Sequence, residues 1–232
     1  MYKIKSPSLE RYKVQKDKKW PWEEDAKVWY ETLNKTLGVV LFNNLIIVPA
    51  VLFINVVIND FNVAHSFKVE DLPTAWTYVW QLYFCIIGED MVFTVSHRLL
   101  HSRFIYKHVH KIHHTYVQPI SICAEYAHPI EFIFGNMLPL GIPCMILGPR
   151  MHFYTFLAIG TQRIIGTSLG HSGYDFPCDP SELYPFRATT SYHDYHHYGN
   201  VDGNFGGGTV LIDWLFGYNK RYFEHLKKVK NE

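Results

Sequence analysis

The chain has 232 residues, 48% of them hydrophobic and 16% aromatic, and its 22 Lys and Arg against 21 Asp and Glu leave a net charge of +1. That is enough chain for one domain with a real core, and the balanced charge supplies no basic field for a nucleic acid partner. Four cysteines (Cys85, Cys123, Cys144, Cys178) form no CxxC pair, which argues against a disulfide framework and for buried free thiols. The excess lies in histidine, with 14.

Residues 1–20 are basic, with Lys3, Lys5, Arg11, Lys13, Lys16, Lys18 and Lys19 against Glu10 and Asp17. No apolar core follows within reach of a signal-peptide cleavage site, so no secretory signal is expected. Residues 21–34 (PWEEDAKVWYETLN) read as an amphipathic helix with proline at its start and acids in its first turn. Its Trp22, Trp29 and Tyr30 suit a membrane interface, or an ordinary surface helix. Residues 37–58 carry no charge over a length that spans a bilayer, and Asn43, Asn44 and Asn55 are expected to face other helices. After a loop at 59–73 containing Asp60 and Lys68, residues 74–96 form a second span that runs straight into His97. Glu89 and Asp90 in its last turns are either a buried functional pair or already at headgroup depth. Residues 130–148 and 151–170 make a second apolar pair, as two spans or a re-entrant hairpin, with Gly148-Pro149 as the turn. No fixed-period repeat or low-complexity segment is present.

The expected architecture is an all-α integral membrane protein, a single domain over 1–232. It divides into an N-terminal interfacial segment (1–36), a first hairpin (37–96), a histidine-rich region (97–129), a second hairpin (130–170) and a histidine-rich cap (171–232). Counting spans puts the N-terminus, 97–129 and 171–232 on one side. That side also carries Arg98, Arg103, Lys107 and Lys111, so the positive-inside rule makes it cytosolic.

The histidines on that side are patterned. His97 and His101 are four apart in HRLLH; His110, His113 and His114 form HKIHH; His193, His196 and His197 form HDYHH. On a helix, residues three and four apart share a face, so each box is expected to aim its imidazoles into one small volume. Neutral imidazole suits Fe, Zn, Cu and Ni, and spacing does not choose among them. No HExxH metalloprotease motif and no Cys-His zinc finger is present. Eight boxed histidines exceed one tetrahedral zinc. With His128 and His171, each at the edge of an apolar segment, the set reaches ten and suits two metals. His65, His108, His152 and His225 fall outside the spacing and are read as non-ligands. Glu125, Asp194 and Asp90 are candidates to orient the imidazoles.

The three boxes resemble those of the integral-membrane fatty acid hydroxylase and sterol desaturase superfamily. Within it, EYAHPIE (125–131) and GHSGYDFP (170–177) are most similar to the sterol C4-methyl oxidases, and PWEEDAKVWY with FNNLIIVPA resembles that family's entry segment. The resemblance covers about residues 21–217. It implies a non-haem di-iron centre held by His97, His101, His110, His113, His114, His128, His171, His193, His196 and His197. It further implies O2-dependent oxidation of a 4-methyl group on a sterol precursor, electrons from NAD(P)H through cytochrome b5 or a similar carrier, and an endoplasmic reticulum membrane. One departure is that Phe216-Gly217-Tyr218-Asn219 stands where the family carries FGT followed by an acid. Lys228 and Lys230 in the tail fit a lysine-based retrieval signal or a solvated terminus. Three rival readings remain open: another lipid hydroxylase or sterol desaturase, a non-catalytic subunit of a membrane complex, and a metal transporter, although transport sites sit at mid-membrane and these boxes lie beyond the span ends.

Overall fold

The computed structural model describes residues 6–59, 65–179 and 184–231. Lys3, Lys5, Asp60 and Glu232 lie outside them. Among the described residues every regular element is helical, with only isolated bridges between extended residues.

Helix α1 runs over Ala26–Ile58 without the break expected between 34 and 37. Residues 21–24 make a single turn, and the chain then extends at Asp25, whose carboxylate accepts the Lys27 and Val28 N–H groups at 2.9 and 3.1 Å. That cap starts α1, and nothing after it stops a helix. Pro49 is absorbed by a π-helical stretch at Asn43–Ile47. A proline clashes with the carbonyl four residues before it and cannot bond to it; for Pro49 that carbonyl belongs to Leu45, inside the widened turn. The same device recurs in α3 (Pro129–Arg150), where Pro139 follows a π stretch at Phe132–Met137 and the carbonyl at issue is Gly135. The π turn in α1 also buries Asn43, whose amide donates to Ala127 O at 2.9 Å. Asn44 and Asn55, expected to face protein as well, are exposed, and Asn44 bonds back to its own helix at Val40 O.

Helix α2 (Ala75–Leu100) is capped by Thr74 and packs against α3 so closely that a Cβ on Gly88 would stand 3.0 Å from Pro143 Cβ. Gly148, at φ 50°, turns the chain into α4 (Phe153–Gly170) as expected from Gly-Pro. Cys85, Cys144, Leu147, Met151 and Ile159 form the core between these three helices. At one end the connections are tied together: Phe153 N–H donates to Ser66 O at 2.9 Å, Gln81 donates to Arg150 O, and His65 and His152 bond to the carbonyls of Gly148 and Lys68. Those two histidines are structural, as read from their spacing. The other end of each helix carries the histidines.

Helices α1 and α3 are long and apolar enough to cross a membrane. The distal half of α1, Val48–Ile58, buries none of its residues and exposes Leu52, Phe53, Ile54 and Ile58 by more than half; such a surface belongs in lipid or against another apolar helix. The lower flank of the histidine end is an aromatic core of Trp20, Trp29, Tyr116, Tyr126 and Tyr174. Trp22 stacks on Trp20 at 5.1 Å and Trp29 is 9% exposed. These two tryptophans pack into that core, because the break at Asp25 folds the 6–24 segment back against it; Tyr30 stays exposed.

The cap consists of α5 (Thr190–Tyr198), α6 (Leu211–Phe216) and α7 (Lys220–Asn231). A glycine-rich loop at 199–208 links α5 to α6. It is held from both sides. Asp90 of α2 accepts Gly208 N–H, Thr209 N–H and Thr209 O–H at 3.1, 3.0 and 2.5 Å, while Asp213 accepts Tyr192 O–H and Gly206 N–H at 2.6 and 2.7 Å. Gly206 is required there, since a Cβ would lie 2.2 Å from Thr209 O.

Candidate metal centre

Nine imidazoles converge beneath the cap in two groups whose nitrogens all lie within 4.8 Å of one another. His97, His101, His110, His114 and His196 form one group, and His113, His171, His193 and His197 form the other. Four segments deliver them: the last turn of α2, the 3₁₀ segment His110–Thr115, the C-terminus of α4, and α5. Each HxxHH box is split between the two groups, against the expectation that a box fills one volume. The i, i+4 pair goes one way and the middle histidine the other, and the two boxes exchange members reciprocally. On α5 the reason is angular: His193 and His197 differ by about 40° around the helix, whereas His196 lies about 100° from His197.

The ring orientations are set from outside. The Nδ1 atoms of His97, His196, His171 and His197 lie 2.7, 2.6, 2.8 and 3.1 Å from the carbonyl oxygens of Phe205, Gly203, Thr167 and Tyr116. His110 Nδ1 is 2.7 Å from the Glu131 carboxylate. A carbonyl only accepts, so each of these rings carries its proton on Nδ1 and turns an Nε2 lone pair inward. Inward Nε2 atoms then face one another at 3.1 Å (His97–His110 and His114–His110), 2.9 Å (His193–His171) and 3.3 Å (His171–His113). In the His97–His110 pair both Nε2 atoms are lone pairs, which cannot hydrogen-bond each other. Two imidazole nitrogens bound at about 2.1 Å to one ion, at right angles, stand about 3 Å apart. His196 Nε2 is buried with no hydrogen-bond partner. The donor set thus fits a cation in each group.

Burial enforces the neutral form that a metal needs. Desolvation pushes His113 and His196 down to about 4, and desolvation followed by the neighbouring imidazoles pushes His97, His110, His171, His193 and His197 well below the usual histidine range. His101 and His114 shift the same way for the same reasons.

His128 stands outside both groups. It precedes Pro129 at the start of α3, and its Nδ1 accepts the Ile130 N–H at 3.2 Å, so its ring caps a helix. The residue that reaches the centre from that segment is Glu131, in the first turn of α3. Sequence reasoning missed it, although it closes the EYAHPIE motif and an acid at i+3 from a box-edge histidine was the available signal. The three acids named instead have other partners. Asp90 anchors the glycine loop; Asp194, raised to about 7 by burial, accepts from Gln15 at 2.7 Å; and Glu125, raised by burial, lies in the field of Arg163. His108 is exposed, and His225 lies 3.3 Å from Tyr198 Oη.

The fatty acid hydroxylase profile matches residues 82–218, which contain all nine clustered histidines. Methylsterol monooxygenase 1 of Gallus gallus is 33% identical over 228 residues, covering 97% of this chain and 72% of the relative. Its Danio rerio counterpart is 34% identical over 226 residues, 94% of this chain and 72% of the relative. A very-long-chain aldehyde decarbonylase of Oryza sativa subsp. indica is 39% identical over 153 residues, 65% of this chain, and this chain spans 56% of that relative's length. No solved structure matches. The sequence motifs, the paired histidine groups and these similarities agree that the chain belongs to the fatty acid hydroxylase family.

Proposed function

We propose that this chain is a non-haem di-iron monooxygenase that oxidises a membrane lipid, the C4-methyl group of a sterol precursor. The observation that carries the reading is the pair of inward-facing Nε2 groups, four and five strong, set at one end of a bundle whose other surfaces suit lipid. His97, His101, His110, His114 and His196 would hold one iron, and His113, His171, His193 and His197 the other; the remaining candidate, His128, is left to capping. Iron at these positions supplies O2-dependent oxidation of an unactivated C–H bond, which no amino-acid side chain performs. Zinc, without a second oxidation state, does not.

The chain's own residues do the rest. The Phe205, Gly203, Thr167 and Tyr116 carbonyls keep the Nδ1 protons in place, so the rings neither rotate nor protonate at Nε2. Glu131 adds a carboxylate behind His110 and offsets part of the charge of an otherwise all-imidazole set. The cap excludes water from above, since His193, His196 and His197 are all at least 96% buried. Electrons would come from NAD(P)H through cytochrome b5 or a similar carrier docking on the basic, histidine-bearing side. That side is assigned to the cytosol and the membrane to the endoplasmic reticulum, with α2 and α4 crossing beside α1 and α3.

The near full-length similarity to methylsterol monooxygenases supports the sterol reading. The higher local identity to aldehyde decarbonylases supports a second reading, removal of the terminal carbon of a long-chain aldehyde. Protein purified from its own membrane should contain about two irons per chain and oxidise labelled 4,4-dimethylsterol with NADH and reductant. Conversion of a very-long-chain aldehyde instead would select the second reading. An iron-free or zinc-only protein inert toward both would leave a structural subunit.

A further inference from the structure

In α6 the residues Ile212 and Asp213 are buried, yet the three that follow, Trp214, Leu215 and Phe216, are 62%, 59% and 67% exposed. Three consecutive helical residues span about 200° of the circumference, so this end of α6 projects from the protein with apolar side chains on most sides. An exposed apolar patch of this kind marks an interaction surface. We propose that α6 is a membrane anchor: Trp214, Leu215 and Phe216 enter the headgroup–acyl boundary of the bilayer, and Arg98, Lys220 and Arg221 bind anionic phospholipid beside them. The proposal rests on the reading of α2 as a membrane-crossing helix and adds to it a lipid contact made by the cap.

Placement identifies the occupant. The segment entering α6 is docked on α2 well short of the histidines. Gly208 and Thr209 donate to Asp90, and a Cβ on Gly207 would lie 2.8 Å from the Phe93 ring. Asp90 precedes His97 by seven residues, about 10 Å along the helix axis. Helix α6 therefore starts beside the last turns of the span and not above them. On α2 itself, Met91, Val95 and Arg98 lie at i, i+4 and i+7, so they share one face, and all three are exposed. That stripe ends at Arg98, whose guanidinium stands 5.1 Å from the centre of the Tyr218 ring, and Tyr218 stacks on Phe216 at 5.7 Å. The exposed apolar surfaces of α2 and α6 are thus joined through Arg98, and lipid that wets one reaches the other. Tryptophan is also the residue that a membrane interface favours.

Charge selects the lipid. Residues 211–231 carry Lys220, Arg221, Lys227, Lys228 and Lys230 against Glu224 and the buried Asp213, and all five cations are exposed. An apolar insertion flanked by cations is the pattern of an interfacial helix on an anionic leaflet. The anchor reaches the histidines through the glycine loop. Asp213 of α6 accepts Gly206 N–H, and the Gly203 and Phe205 carbonyls of the same loop lie against His196 and His97. Lipid that steadies α6 steadies the five-histidine group.

The test uses the full chain, iron-loaded, in phosphatidylcholine nanodiscs with and without phosphatidylserine. An environment-sensitive fluorophore is attached at L215C on α6 or at M91C on α2, each in a C178S background, because the other three cysteines are buried. Both positions should lose fluorescence to doxyl-labelled lipid and be shielded from iodide. L215C open to iodide and untouched by doxyl lipid, with M91C quenched by it, overturns the anchor and leaves α2 in the membrane. L215C shielded from both quenchers means that protein covers α6, a second copy or another partner, and overturns it too. M91C open to iodide removes the span and the anchor together. These arms need no metal. In the second readout, phosphatidylserine should slow iron release to a chelator by about threefold or more. K220Q/R221Q should lose that response, and W214S/L215S/F216S should release iron faster in either lipid. Iron release by wild type that ignores phosphatidylserine overturns the anionic-lipid assignment.

Discussion

The two histidine groups are built from the same boxes but are not equivalent. The group of His97, His101, His110, His114 and His196 has five donors, a carboxylate behind one of them, and a cavity reached through His97 and His110 that the other group shares. The group of His113, His171, His193 and His197 has four donors, no carboxylate hydrogen-bonded to any of them among the described contacts, and also faces an open cavity between α2 and α4 through His171 and His193. Ligand count and access vary together. If each group held an ion, the position with four donors would be the one with room for a further ligand and the one that opens onto the cavity, as catalytic metal sites generally do. Two ions of one element held this way would differ in charge environment and in exchange with solvent.

The sharpest way to break this comparison is to remove one donor from each side. H110A and H193A should each abolish turnover. H110A should deplete the five-histidine position and H193A the four-histidine one, with the protein still inserted in the membrane. Iron counting with Mössbauer spectroscopy reads this directly; full turnover in either variant would contradict the ligand assignment. E131Q comes next. Loss of an orienting partner of this kind costs about 10–100-fold in metal affinity or activity, and only the iron of the five-histidine group should show altered spectroscopic parameters. A change in both would mean that the groups are electronically one.

The loop anchor gives a smaller effect. D90N removes a carboxylate that accepts three hydrogen bonds from Gly208 and Thr209 and should lower stability by about 1–3 kcal/mol, read as the detergent-solubilised melting temperature. The orientation of His97 and His196, whose carbonyl partners lie in that loop, should loosen with it. The last prediction concerns pH. In metal-free protein, His113 and His196 are held down to about 4 by burial, against about 6.5 in an unfolded chain. The unfolded state therefore binds more protons in this window, and stability falls as pH drops from about 6.5 toward 4. Thermal unfolding of the apo-protein at pH 7.5, 6 and 5 checks the sign; stability rising on acidification would refute it.

Much of this was legible in the sequence, for identifiable reasons. Imidazoles at three- and four-residue spacing carry a chemistry that few other patterns imitate, so eight of the nine clustered histidines stood out, His171 was added from its place at the edge of an apolar segment, and apolar runs marked the helices. What spacing did not carry was allocation. His113 and His196 each leave their box for the opposite group, a matter of how the 3₁₀ segment and α5 face each other. His128 looked like a ligand because its helix-capping role depends on Pro129 starting a helix just there. The orienting groups were hidden for a different reason: four of the five are backbone carbonyls, which any residue possesses, and only Glu131 leaves a trace in the sequence. The break at Asp25 likewise rests on one local capping interaction, and it divides the helix expected over 21–34 into a single turn and the start of α1.

The shared use of α5 has a consequence for biogenesis. Both groups draw on histidines at 193–197, so neither donor set is complete until α5 has left the ribosome and docked. A nascent chain with its membrane helices already inserted would present His97, His101, His110, His113 and His114 in half-finished clusters. On the proposed reading, each site could take its metal only once α5 has docked, and iron content would report how many molecules have reached that stage.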